Sequence, residues 1–222
     1  WCGGGMRNAP TNYTFANQRV TAHWLKRLPL RTSAMRALGG TANTFANESF
    51  MDELANAAQI DPLEFRLHHL ADPRAHDVLK TAAQRAGWGA ALPEDEGRGI
   101  AYVQYENDEA YVAMVAHVHV DRSSGEVRVQ RISVAHDCGL IINPDGLKNQ
   151  IEGNVIQAVS RALKEQVTWD ETRITSVDWE SYPILKFSEV PEIEVGLINR
   201  SDQLAVGAGE PSTITVAAAI AN

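Results

Sequence analysis

From Ala110 to Val120 the chain alternates. Val112, Met114, Ala116, Val118 and Val120 fall on one face, the pattern of a strand with an apolar side. Asp121-Arg122-Ser123-Ser124-Gly125 reads as a hairpin loop, and Glu126 to Ala135 as the return strand. The apolar parity changes between Val129 and Ile132, which predicts a bulge. Ile100 to Tyr105 adds a further strand. A sheet of this kind must bury its apolar face under other elements, and helix signals stand on both sides of it.

Upstream, Phe45 to Gln59 places Phe45, Phe50, Met51, Leu54 and Ala58 at amphipathic spacing. Asp61-Pro62-Leu63-Glu64 is a helix start, with Asp as cap and Pro at the first helical position, and that helix runs to about Leu70. Asp72-Pro73 repeats the signal. Val78, Leu79, Ala82 and Ala86 form the stripe and Gly87 the stop. Downstream, Asn143-Pro144 opens a helix to about Glu165 with the stripe Leu147, Ile151, Val155, Val159 and Leu163. Residues 1–44 are loop-rich, residues 169–198 read as strands and loops, and Ser212 to Asn222 reads as helix. The fold class is therefore α/β (α+β), mixed sheets with packed helices. It divides into a loop-rich, three-helix part at 1–98 and a part at 99–222 carrying the hairpin, the long helix and the C-terminal turn.

A net charge of −8 on 222 residues, with no long basic run, argues against nucleic acid as a partner. No apolar run in this segment approaches the length of a membrane span. Cys2 and Cys138 are far apart and too few to hold an iron–sulfur cluster alone, and a disulfide between them has no sequence support. The chain begins at Trp1 and ends at Asn222 inside a helix-like run, so it reads as a segment of a longer polypeptide. The compartment, cytoplasmic or periplasmic, stays open.

Three stretches carry chemistry. Gly207-Ala208-Gly209-Glu210-Pro211 puts a carboxylate, a candidate base, in a glycine turn before a helix. Taken alone, a solvated turn is the commoner reading of such a stretch. On the long helix, Gln150, Gly153 and Gln157 share a face other than the apolar stripe. Gly153 costs about 1 kcal/mol against Ala inside a helix, so it calls for the close approach of a ligand or of another helix. Met35-Arg36-Ala37-Leu38-Gly39-Gly40 is either a surface turn or a loop over a cofactor or anion. His117, His119, His136, Asp137 and Cys138 match no standard zinc spacing and read better as polar residues on the wet face of the hairpin.

In order along the chain, these stretches resemble one family, the molybdopterin-binding large subunit of the xanthine dehydrogenase (molybdenum hydroxylase) family. The resemblance rests on Met35 to Gly40 with Phe45, Glu48 and Met51 to Leu54, and on Asp61 to Arg66. It continues through Asp137 to Pro144 with Gln150 to Gly153, and ends on Gly207 to Pro211. Leu30 to Ala34, Ser181 to Leu185 and Val190 to Glu192 are similar to the branch with isoquinoline 1-oxidoreductase, nicotinate dehydrogenase and some aldehyde dehydrogenases. Ala37 departs from the usual loop glycine. Leu38 stands where purine-oxidising members carry an aromatic, which argues against a purine.

The resemblance implies a molybdenum–molybdopterin cofactor in its cytosine dinucleotide form, with Glu210 as catalytic base. It places Arg36, Gly39, Gln150, Gly153, Gly207 and Gly209 at the cofactor, with no metal ligand from this chain. It further implies a small-molecule substrate, hydroxylation of an N-heteroaromatic ring carbon with oxygen from water, and electrons passed to 2Fe-2S clusters on an iron–sulfur subunit. Further cofactor-binding loops are expected upstream in the same polypeptide. Oxidation of aldehydes at the same site is the rival activity, and a non-catalytic assembly module the rival class.

Overall fold

A computed structural model describes residues 3–222; Cys2, and with it any pairing to Cys138, lies outside them. The centre is a four-stranded sheet in the order β1 (Glu96–Gln104), β2 (Tyr111–Val120), β3 (Val127–Asp137), β4 (Glu192–Leu197). The first three strands run antiparallel and β4 pairs parallel to β3. The expected bulge is present. His117 pairs with Arg131 and Val118 with Val129, so Gln130 is the extra residue. It lets Val129 and Ile132, three apart in sequence, enter the same core.

Both sheet faces are covered. On one, Val112, Met114, Ala116, Ile132 and Val134 pack against α4 (Pro144–Leu163), α5 (Pro211–Ile214) and α6 (Val216–Ala221). On the other, Tyr111, Ala113 and Val115 pack under α3 (Pro73–Ala86) through Val78, Leu79, Ala82 and Ala83. The expectation of a wet hairpin face fails at His136, Asp137 and Cys138, which are buried, while His117 and His119 remain half-buried towards the far end of the hairpin. Each fully buried Val or Met of β2 contributes roughly 1.5–3 kcal/mol by leaving water, which makes β2 the best-anchored element. Residue 98 lies within β1, and helices from both sides of it pack on the one sheet.

The Asp-Pro starts hold. Asp61 accepts from the Leu63 and Glu64 amides at the head of α2 (Pro62–His68), and Asp72 from that of Arg74 at the head of α3. Asn143 caps α4 through the Gly146 amide. The first long helix differs from expectation. α1 runs Gly40–Ala58 and buries Gly40, Thr44, Glu48, Met51 and Ala55, leaving Phe45 42% and Phe50 57% exposed. The buried stripe is polar because Glu48 serves a buried network. It accepts from the Tyr13 hydroxyl at 2.7 Å, from Arg66 Nε at 2.9 Å and from the Tyr102 amide at 2.9 Å.

Between residues 169 and 191 the only strand-like feature among the described residues is an isolated bridge, Trp169 to Ile174. The C-terminal run is two short helices, interrupted at Thr215, rather than one. Ser212, Thr213, Ile214 and Thr215 are buried, so α5 is a plug between α4 and the sheet. No helix among the described residues is long and apolar enough to cross a membrane.

Candidate active site

The loop before α5 is fastened from beneath. Ser212 Oγ lies 3.0 Å from His136 Nδ1 at the end of β3, and Thr213 Oγ1 donates to the Asn154 side chain on α4. His136 is buried, and burial lowers its imidazole to about 4, so the ring is neutral near pH 7. These anchors place Glu210, the residue before Pro211, at the edge of the sheet with its side chain about one-third exposed.

Arg36 fastens the same loop from above. Its Nε donates to the Gly209 carbonyl at 2.7 Å, and Nη2 donates to that same oxygen and to Gln150 Oε1 at 2.7 Å. Nη1 reaches Gln157 Oε1 at 3.4 Å. One guanidinium thus joins segments 114 and 173 residues away in sequence. A planar fork of donors is pre-organised to hold a carbonyl and two amides together in this way.

Gly153 and Gly209 lie beside this junction, and a Cβ added at either would meet nothing within 4 Å. The surface is therefore open down to backbone there. A groove of about 260 Å³ adjoins it, lined by Ile142, Asn143, Leu147, Gln150, Val206 and Gly209 among others. A Cβ at Gly207 would come 3.6 Å from the Glu109 carboxylate. Gly39 is placed differently: a Cβ there would lie 2.3 Å from the Gly5 carbonyl oxygen, so the backbone it approaches is the chain's own turn at Gly3–Met6. The loop between Arg36 and Gly39 is left-handed twice, with φ of 72° at Ala37 and 48° at Leu38. Ala37 therefore occupies a backbone state that favours glycine.

The arrangement includes residues that sequence reasoning missed. Tyr105 donates its hydroxyl to Glu210 Oε2, and Arg7 donates to the Tyr105 oxygen. Arg7 also pairs with Glu106 at 2.7 Å and lies 3.6 Å from Glu210 Oε2. Burial first, then the hydrogen bond to the Glu210 carboxylate, pushes the Tyr105 phenol above its ordinary range, so it is a donor at neutral pH. Nothing in the spacing links Arg7 to a tyrosine 98 positions on. The available signal was local: the polar Glu106-Asn107-Asp108 turn between two strands.

Other motif residues lie elsewhere. Glu48 and Arg66 form the buried pair between α1 and α2. Asp137, fully buried, takes both Arg74 and Arg200 and accepts from the Gly139 amide. These hold the scaffold. Among the described residues no three His, Cys, Asp or Glu side chains gather as a metal site, and His117 is instead paired with Glu96 at 2.8 Å.

Comparison with known proteins follows the same lines. Residues 16–191 match the model of the molybdopterin cofactor-binding domain. The chain is 43% identical to a nicotinate dehydrogenase subunit of Pseudomonas putida, over 98% of this chain and 20% of that protein. It is 34% identical to the beta subunit of isoquinoline 1-oxidoreductase from Brevundimonas diminuta, over 100% of this chain and 28% of that protein. The chain thus spans about a fifth to just over a quarter of these relatives. Aldehyde oxidoreductase from Desulfovibrio gigas superposes with a TM-score of 0.70 over 85% of this chain and 39% of that one. Its identity is 15%, so the likeness there is one of fold.

Proposed function

This chain belongs to the molybdopterin cofactor-binding domain family, within the molybdopterin-binding subunits of the xanthine dehydrogenase family, and from that premise we propose that it forms one wall of the active site of a molybdenum hydroxylase. The proposed reaction is oxidative hydroxylation of an N-heteroaromatic ring carbon, with a nicotinate- or isoquinoline-like substrate. The observation that carries the reading is the Arg36 junction, where three motif segments distant in sequence meet around an open surface.

That surface suits the cofactor. Side-chain-free backbone at Gly153 and Gly209 admits a bulky planar group, and the Gln150 and Gln157 amide nitrogens, left over when Arg36 takes their oxygens, supply donors for its acceptor atoms. When bound, a molybdenum–molybdopterin group supplies a two-electron acceptor and the centre for oxygen insertion. Gln150 gives its amide oxygen to Arg36, which leaves its amide nitrogen as the donor for the pterin. Arg36 holds the Gly209 carbonyl and so sets where the next residue stands. Glu210 is the base, and its carboxylate takes up the proton released as the ring carbon is attacked. Gly207 and Gly209 let the loop come close to the reacting centre. The cytosine dinucleotide form of the cofactor, 2Fe-2S clusters on an iron–sulfur subunit, and further cofactor-binding loops in the same polypeptide complete the reading. The last draws support from the fraction of its relatives that this chain spans.

A side-by-side assay of the full-length enzyme with nicotinate, isoquinoline and benzaldehyde tests it. The reading predicts turnover of a heteroaromatic with an oxygen atom from labelled water in the product. Turnover of benzaldehyde alone would move the assignment to aldehyde oxidation. No turnover and no molybdenum would leave a non-catalytic module.

A further inference from the structure

The contacts around Glu210 go beyond holding a loop. Its Oε2 accepts from the Tyr105 hydroxyl, while no hydrogen bond to Oε1 is present among the described residues. Tyr105 is itself oriented by Arg7, which Glu106 fixes at 2.7 Å. The turn carrying these groups is costly. Glu106 and Asn107 are both left-handed, with φ of 53° and 67°. Asparagine tolerates this state, whereas at Glu106 it costs roughly 1–2 kcal/mol.

Asn8, itself left-handed at φ 57°, supports the turn from behind. Its amide donates to the Gln104 carbonyl at 2.7 Å and accepts from the Glu106 amide at 3.2 Å. Two positive φ values in succession are the geometry of a type I′ turn, whose usual residues are Asn-Gly or Asp-Gly, and here Glu106 fills the first position instead. What the strained turn achieves is to deliver the Tyr105 hydroxyl and the Glu106 carboxylate to one point beside Glu210.

We propose that Tyr105, oriented by Arg7 and Glu106, is a positioning residue that occupies one oxygen of the Glu210 carboxylate and presents the other to the reacting centre. The inference rests on the reading of Glu210 as base. A phenol donor fixes the carboxylate's plane and leaves Oε1 to take the proton. Arg7 keeps the phenol turned towards Glu210 and not towards solvent. The remaining nearby carboxylate, Glu109, forms no hydrogen bond to Glu210 among the described residues, so the orientation comes from the Arg7–Tyr105 side.

Tyr105→Phe in the full-length enzyme tests this, since the change removes one oxygen from a buried ring. Infrared difference spectra of cofactor-free protein read the carboxylate directly. The Glu210 band is the one lost in Glu210→Gln, and in Tyr105→Phe it should shift while overall secondary structure is unchanged. In the loaded enzyme, kcat should fall by about tenfold to a hundredfold with KM within about twofold, the signature of lost orientation and not of lost binding. Arg7→Gln should shift the band in the same direction by less. An unmoved band, or a loss in KM alone, would overturn the proposal. The base assignment fails separately: Glu210→Gln would then retain turnover, while the Tyr105→Phe band shift would still report the contact.

Discussion

Replacing Glu48 by Gln would unseat the helical layer that carries the Arg36 loop. Glu48 is 1% exposed and Arg66 0%. The carboxylate accepts from Tyr13, Arg66 and the Tyr102 amide, so a carboxamide of the same shape puts donors where acceptors are required. Arg66 keeps its charge: burial opposes ionisation, but Glu48 foremost, with Asp52, holds the guanidinium above its ordinary range. Removing one partner of a buried pair costs about 3–5 kcal/mol. Asp52, at 2.8 Å from Arg66 and 21% exposed, remains as a second partner. That places the expected loss near the lower end, about 3 kcal/mol. Urea denaturation followed by circular dichroism measures it. A double replacement, Glu48→Met with Arg66→Met, should recover only part of the loss, because it removes the buried charge but leaves the Tyr13 hydroxyl and the Tyr102 amide without an acceptor. A loss under about 1 kcal/mol for Glu48→Gln would refute the reasoning.

Other expectations follow from the site. Arg36→Ala should lower kcat/KM by about tenfold to a hundredfold without changing the melting temperature by more than a few degrees, since the guanidinium lies at the surface and acts on loop position. Ala37→Gly should be within about 1 kcal/mol of neutral, because relief of a left-handed alanine is offset by chain entropy and a lost buried methyl. Ala37→Val should instead destabilise by more than about 2 kcal/mol, and paired thermal melts distinguish the two. His136 makes stability fall on acidification. Its folded value of about 4 lies below the unfolded 6.5, so its contribution is complete above pH 6.5 and is lost as the pH falls towards 4, by roughly 3 kcal/mol in all. His136→Gln should flatten that dependence in a series of melts.

Much of this was legible where one local rule decides the outcome. The Asp61, Asp72 and Asn143 caps, the α4 stripe and the bulge at Gln130 all stand as their patterns predict. Periodicity failed on α1 because the buried positions there include Thr44 and Glu48, while two phenylalanines stay outside. Glu48 is satisfied by partners on three other segments. The motif order singles out Arg36, Gln150 and Gly209, and in the structure one guanidinium joins the three by hydrogen bonds. Arg7 and Tyr105 escaped because their link to Glu210 is purely tertiary. Glu48 and Arg66, carried by the same motifs, turned out to hold helices together.

The central claim is that Glu210 is the base of a molybdenum hydroxylase site. Its most direct test is turnover and molybdenum content measured together on Glu210→Gln in the full-length enzyme. Turnover should fall by roughly a thousandfold or more while the metal stays at the wild-type ratio, since the surface at Gly153 and Arg36 is untouched. Turnover within about tenfold of wild type at full molybdenum content would contradict it.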